Sequence, residues 1–325
     1  MKKSLILFLL IGIMLLTACS SDDKIINPYT EDVFLQNGAL NDFELNQAEG
    51  FASDLGVIDK DAPEYDKSYE IYSPIALLID NTTGEVLVQK NAHDKAYPAS
   101  ITKVLTSMLA IKYGKTGTKR QVGDEIIFHE ENVITCAYRK GDEITFDIAL
   151  HGALVRSGND AAAFLATFVN ESQEEFVDLM NEEAHKLGAT NSNFVNPHGL
   201  NDENHYTTAY DLYLIYKEAL KYDYFRTTVA KYTYKNEFQR TTSYNTYRIP
   251  CEYNTTNPFF TGVATAPDHV KVLGGKSGYT EVAKRCYILH AEANNGHEYI
   301  AVIMKAEDYD ILTRDLTYLL DCIPE

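Results

Sequence analysis

Positive charge is scarce in this chain: 29 Lys and Arg stand against 47 Asp and Glu in 325 residues, a formal net charge of −18. Phosphate backbones are gripped by clustered Lys and Arg, so nucleic acid is excluded as a partner, and so is a basic amphipathic membrane helix. The acidity itself reads as a solubility device. Clustered cysteine is missing too. Cys19, Cys136, Cys251, Cys286 and Cys322 are scattered with no Cys-x-x-Cys pair, which excludes a dense disulfide framework; the last four read as small buried side chains. The nine histidines show no metal-ligand spacing, which argues against a metal-dependent hydrolase, and no metal or other cofactor is expected. His198 and His205 fall in a polar stretch and read as surface residues. No Gly-x-Ser-x-Gly elbow, internal repeat or low-complexity tract occurs.

Only one long apolar run is present, Leu5 to Leu16, and it is too short for a comfortable transmembrane helix. It follows Lys2-Lys3 and ends in Leu16-Thr17-Ala18-Cys19, with the polar Ser20-Ser21-Asp22-Asp23 directly behind. This pattern resembles a bacterial lipoprotein signal, whose cleavage leaves the cysteine as an acylated N-terminus. Acyl chains on Cys19 would anchor the protein to the outside of the cell membrane, at ~0.8 kcal/mol per buried methylene. Residues 1–19 are therefore read as leader plus lipidation site. Residues 20–72 carry about thirteen Asp and Glu against three Lys and read as an acidic linker. As a coil, about 50 residues span ~40 Å.

Patterned structure begins near residue 73. Two apolar segments, Ile75 to Asp80 and Glu85 to Lys90, flank Asn81-Thr82-Thr83-Gly84 and predict a hairpin. Pro98-Ala99-Ser100 leads into a helix over Ile101 to Tyr113, stopped by Gly114. Ser172 and Glu175 have capping-box spacing ahead of Phe176, Met180, Ala184 and Leu187, which recur at helical intervals. Val270 to Ser277, Cys286 to Ala293 and Tyr299 to Met304 predict strands, and Ile311 to Leu320 a closing helix. Strands at both ends around a helical middle predict one sheet whose N- and C-terminal strands pair.

Three short motifs carry chemistry. In Ser100-Ile101-Thr102-Lys103 a hydroxyl and an amine share one helical face, one turn apart. The helix N-terminus favours the developing alkoxide, and a buried lysine near other cations can act as its base. Ser157-Gly158-Asn159 presents a hydroxyl and an amide on a tight turn between helices, able to face that pair. Gly275-Lys276-Ser277-Gly278-Tyr279-Thr280 sets a cation and a hydroxyl on a strand that a peptide could lie along. Any one triplet is cheap. Ser21-Asp22-Asp23-Lys24 repeats the first spacing inside the acidic linker, and Lys115-Thr116-Gly117 mimics the third in a helix-end turn. The ordered trio is far harder to obtain by accident.

With Asn196-Pro197-His198-Gly199-Leu200, these motifs resemble the D-alanyl-D-alanine carboxypeptidases, the low-molecular-mass penicillin-binding proteins, from about residue 73 to the C-terminus. The resemblance implies an α+β fold shared with serine β-lactamases: a five-stranded antiparallel sheet flanked by helices, with an inserted helical subdomain. Within residues 73–325 it implies Ser100 as nucleophile, Lys103 as its base, Ser157 as a proton relay and Asn159 as a holder of Lys103 and substrate. Lys276 would supply charge, Ser277 would bind the terminal carboxylate, Gly278 would line the strand, and the N–H groups of Ser100 and Tyr279 would form an oxyanion hole. The implied substrate is a peptidoglycan stem peptide ending in D-alanyl-D-alanine, and β-lactams would acylate the same serine.

The chain departs from the family pattern in places. Ser277 stands for the usual threonine, and Ala283-Lys284-Arg285-Cys286 for Ala-Gly-x-Cys, putting a bulky cation where local packing and carboxylate binding are at stake. Arg156 adds a charge next to Ser157. The β-rich C-terminal domain and amphipathic anchor that many members carry are not expected after the last helix, and the lipid on Cys19 would take the anchoring role. Two rivals keep the fold. A serine β-lactamase needs a deacylation base, and no Glu-x-x-Leu-Asn occurs between Asn159 and Lys276. A penicillin-binding sensor or wall-binding lipoprotein would keep the site without turnover.

Overall fold

The computed structural model describes residues 70–128, 130 and 133–325. The leader, Cys19 and nearly all of the acidic linker lie outside the described residues. Strands β1 (Ile75–Asp80) and β2 (Val86–Lys90) form the hairpin expected from the sequence, with Gly84 in the left-handed turn position at φ 81°. Strands β7 (Val270–Thr280), β8 (Lys284–Ala293) and β9 (Glu298–Ala306) complete an antiparallel sheet in the order β2-β1-β9-β8-β7. The N-terminal strand β1 pairs with β9 over its whole length, from Ile75 opposite Met304 to Asp80 opposite Tyr299. This is the α+β architecture, with its closing sheet, that the motif order implied.

Why β1 reads as an unbroken apolar run is plain from its surroundings: all six residues are buried because both faces of the sheet are covered. Leu77 and Ile79 face the helical insert. Ala76 and Leu78 face the closing helix α7 (Tyr309–Asp321) through Leu312, Leu316 and Leu319. A buried polar clasp fixes that helix. Asp315 Oδ2 accepts both the N–H and the hydroxyl of Ser73, each at 2.7 Å.

The insert is built from α1 (Lys103–Tyr113), α2 (Phe146–Leu154), α3 (Asn159–Ala166), α4 (Gln173–Lys186), α5 (Ala209–Ala219) and α6 (Asp223–Val229). Ser172 caps α4 as its spacing predicted, its Oγ accepting the Glu175 N–H at 3.1 Å. The expectation of a purely helical middle is incomplete. A second antiparallel sheet runs β3-β4-β5-β6, from β3 (Lys119–Gln121) and β4 (Glu143–Thr145) to the long hairpin β5 (Thr233–Thr241) and β6 (Thr246–Asn254). Its strands are polar and largely exposed, so they lack the apolar alternation that reveals a strand in sequence.

The Ser73–Asp315 clasp yields a test. Asp315→Ala leaves two buried donors without an acceptor and is expected to cost about 2–3 kcal/mol, read as a lower urea midpoint. An unchanged midpoint would show that the clasp adds nothing to stability.

Candidate active site

Ser100 sits in the short 3₁₀ turn Ala99–Thr102, and Lys103 opens α1 directly behind it. The amine of Lys103 is fully buried and has three acceptors: Ser100 Oγ at 2.8 Å, Asn159 Oδ1 at 2.9 Å and the His198 carbonyl at 2.5 Å. Burial, and after it the nearby Lys276 cation, hold its pKa well below the ordinary 10.5. A neutral amine at this point keeps two N–H bonds, enough for Asn159 and His198, and turns its lone pair toward Ser100.

Ser157 and Asn159 come from the turn between α2 and α3. Ser157 adopts a left-handed backbone, φ 66°, a strained state for a residue with a Cβ, at ~1–3 kcal/mol. Its hydroxyl accepts a 2.8 Å hydrogen bond from Lys276 Nζ, whose second bond goes to the Ser277 carbonyl at 2.8 Å. Lys276 is buried on β7, and burial pushes its pKa down to about 7. Asn159 gives both its side-chain and backbone N–H groups to the Ile134 carbonyl, at 3.1 and 2.8 Å, so its oxygen is left turned to Lys103. Beneath the turn, the buried Asp160 carboxylate accepts the N–H groups of Cys136, Tyr138 and Ala161. It ties the 136–138 segment to the turn, and burial raises its pKa despite those bonds.

The fourth support is the Asn196–Leu200 loop. Asn196 Oδ1 accepts the N–H groups of His198 and Gly199, and Thr106 Oγ1 donates to the Pro197 carbonyl at 2.7 Å. Gly199 lies against the serine turn so closely that a Cβ there would stand 1.9 Å from the Ala99 carbonyl oxygen, and its φ is +85°. Gly278 on β7 is nearly as tight, its virtual Cβ 2.8 Å from the Pro98 oxygen. Ser100, Ser157, Ser277, Gly278 and Tyr279 thus line one cleft of about 280 Å³ at the edge of the main sheet. All eight residues picked from the three motifs converge here.

Three expectations about neighbouring residues are corrected. His198 and His205 are buried, not on the surface: the Asn196–Leu200 loop folds inward to meet Lys103. Val195 N–H donates to His205 Nδ1, which leaves the Nε2 proton to face Thr102 Oγ1 at 2.8 Å. Arg156 is exposed and lines a separate hollow with Cys136, Phe238 and Arg240, away from the cleft. Lys284 does not crowd the site; it adopts φ 60° and reaches out to Glu307 at 2.8 Å. Lys115-Thr116-Gly117 is a turn, as read, with Gly117 at φ 78°. Sequence reasoning missed Thr256, whose hydroxyl lies 2.7 Å from Ser277 Oγ, and the supporting role of Asp160. Thr256 had no signal, whereas Asp160 directly follows Asn159 at the end of the second motif.

The family model for D-alanyl-D-alanine carboxypeptidases (Peptidase_S11) matches residues 60–308. The chain belongs to this family. The carboxypeptidase DacF of Bacillus subtilis is 33% identical over 252 residues, covering 76% of this chain and 60% of that protein. DacC of Escherichia coli is 35% identical over 159 residues, 43% of this chain and 38% of that one. The chain thus spans less than two thirds of the length of these curated relatives. Among solved structures, an S96A mutant of the Streptomyces K15 DD-transpeptidase superposes with a TM-score of 0.70 at 23% identity, over 78% of this chain and 98% of that one. That likeness establishes the fold that the family shares.

Two outcomes follow for the site. Gly199→Ala forces the loop off the serine turn and is expected to cost about 2–4 kcal/mol while slowing any acylation of Ser100; wild-type values of both would refute the packing argument. Burial holds His198 at about 3 and His205 at about 4, and likewise holds His290, buried on β8 beside Tyr216 and outside the cleft, at about 4. Between pH ~6.5 and ~4 the unfolded chain binds protons that the native one refuses, so stability falls as pH falls, by about 1 kcal/mol per pH unit per histidine. A urea midpoint that stays flat from pH 7 to 5 would contradict it.

Proposed function

We propose that this protein is a serine-type D-alanyl-D-alanine carboxypeptidase that removes the terminal D-alanine of peptidoglycan stem peptides and binds penicillin. The observation that carries the reading is the buried Lys103 amine, 2.8 Å from Ser100 Oγ and held by Asn159 and His198. In its neutral form Lys103 takes the hydroxyl proton as Ser100 attacks the penultimate carbonyl. The oxyanion is received by the backbone N–H groups of Ser100 and Tyr279, each such donor being worth roughly 3 kcal/mol. Ser157, polarised by Lys276, passes its proton to the departing amine of D-alanine and is reprotonated by the proton that Lys103 took from Ser100. Water then cleaves the Ser100 ester and releases the shortened peptide. A β-lactam presents a similar carbonyl to the same serine.

The extracytoplasmic location that such a substrate requires is supported by the leader pattern. We infer that residues 1–19 direct export, that Cys19 carries the lipid, that residues 20–72 form the spacer and that residues 73–325 hold the catalytic fold. Cys19→Ser is expected to free the protein from membranes; continued membrane association would refute the lipid anchor.

Incubation with labelled penicillin and with a peptide ending in D-alanyl-D-alanine tests the activity. The expected result is a long-lived adduct on Ser100 and released D-alanine, both lost in Ser100→Ala. Rapid penicillin turnover would mark a β-lactamase, and an adduct without D-alanine release a sensor. The pH profile of kcat/KM should fall as pH passes about 7, where Lys276 loses its charge. Lys276→Arg, which keeps its charge, should remove the falling limb; a limb that persists would assign it to another group.

A further inference from the structure

A second hollow, of about 450 Å³, lies beside the cleft and takes no part in acyl transfer. Lys95 and Tyr97 line it from just ahead of the serine turn, and Glu203 and Tyr206 from the loop that follows Leu200. Val282 closes it at the tip of the β7–β8 turn, and Lys305 at the end of β9. The two hollows share a wall: Cys286, which lines the cleft, donates its thiol hydrogen at 3.8 Å to the carbonyl of Tyr97. Lys95 Nζ lies 4.0 Å from the centroid of the Tyr206 ring, a contact that holds the amine against the hollow. Lys95, Glu203 and Lys305 are all exposed, and among the described residues none of the three is in an ion pair.

The register of a bound peptide leads to this hollow. β7 is the last strand of the main sheet, so a peptide can add to its outer edge. With its C-terminus at Ser277 and its scissile carbonyl on the Tyr279 N–H, that peptide runs antiparallel to β7. The residue giving the carbonyl stands opposite Tyr279, and the residue before it stands opposite Thr280. Paired residues project from one face of a sheet, as do residues two apart on a strand. The residue opposite Thr280 therefore shares the face of Gly278, which packs against Pro98 and Ala99. Its side chain is directed past Tyr97 toward Val282, which lies three residues beyond Tyr279, about 10 Å of strand. Only a long side chain spans that gap to the charges. We propose that this hollow is the subsite for the residue preceding D-alanyl-D-alanine, and that it selects a long side chain ending in an amino-acid head group. Lys95 and Lys305 meet its carboxylate and Glu203 its ammonium. This rests on the carboxypeptidase reading and adds to it which stem peptide the enzyme prefers. A side chain ending in an ammonium alone would leave both lysines facing a like charge. Because the three groups stand in solvent, they supply selectivity and not catalytic power.

The test compares three peptides ending in D-alanyl-D-alanine that differ only in the residue before it. One carries meso-diaminopimelate, with both head-group charges, one L-lysine, with the ammonium alone, and one L-2-aminopimelate, with the carboxylate alone. The native protein is expected to favour the diaminopimelate peptide over the lysine peptide by about tenfold in kcat/KM, the scale of two solvent-screened ion pairs. The gap should shrink as salt is added. In the double variant Lys95→Gln, Lys305→Gln it should close to within about two-fold, and Glu203→Gln should instead close the gap to the aminopimelate peptide. Labelled penicillin, which bears no charge at that position, should acylate every variant at the native rate. A native protein that cuts all three peptides equally overturns the proposal without any variant. So does a double variant that keeps the discrimination against lysine, or one that slows the peptides and penicillin alike. A native protein that cuts none of the peptides and forms no penicillin adduct sinks the carboxypeptidase reading itself, and the proposal with it.

Discussion

Everything in the site depends on a primary amine buried where a charge is expensive. Lys103 opens α1 with no exposed surface, beside a second buried lysine, and each one's cost is met by hydrogen bonds. Desolvation and mutual repulsion both favour the neutral form of Lys103, which turns an ordinarily protonated side chain into a base. The surrounding architecture reads as what is needed to keep that amine dry and aimed. Asn159 points one acceptor at it because its own donors are spent on Ile134. The His198 carbonyl is a second, held by a loop whose glycine touches the serine turn.

Strain is concentrated at the same place. Ala99 and Ser157 both take left-handed backbone angles, φ 48° and 66°, in the turns that present the two serines. Such conformations persist only where their surroundings over-determine them. Here Asp160, Asn196 and Thr106 supply that determination through buried hydrogen bonds. The main sheet contributes rigidity, since β7 carries Lys276, Ser277 and Gly278 and is backed by β8 and β9, whose residues are mostly buried.

The sequence made part of this legible and hid part for physical reasons. The main sheet was readable because strands buried on both faces are apolar without interruption, and β1 is the clearest case. The polar β5–β6 hairpin, more than half of whose strand residues face water, gave no such signal. Within the site, the three motifs named the residues that line the cleft and the lysines that bond beneath it, because their chemistry needs particular residue types at close spacing. Contacts that use backbone atoms escaped: the His198 carbonyl does its work whatever side chain it bears, and the ring was misplaced on the surface by its polar neighbours. Thr256 escaped because a lone threonine in a loop looks like any other. Residues 1–72 are read from composition alone.

The most direct measurement is an NMR titration of Lys103 in protein carrying carbon-13 at the lysine Cε positions, with the signal assigned by its loss in Lys103→Arg. A midpoint far below the ordinary 10.5 is the expected result. A Lys103 signal that titrates at the ordinary value or above would mean a permanently charged ammonium, and the base assigned to Ser100 would be gone.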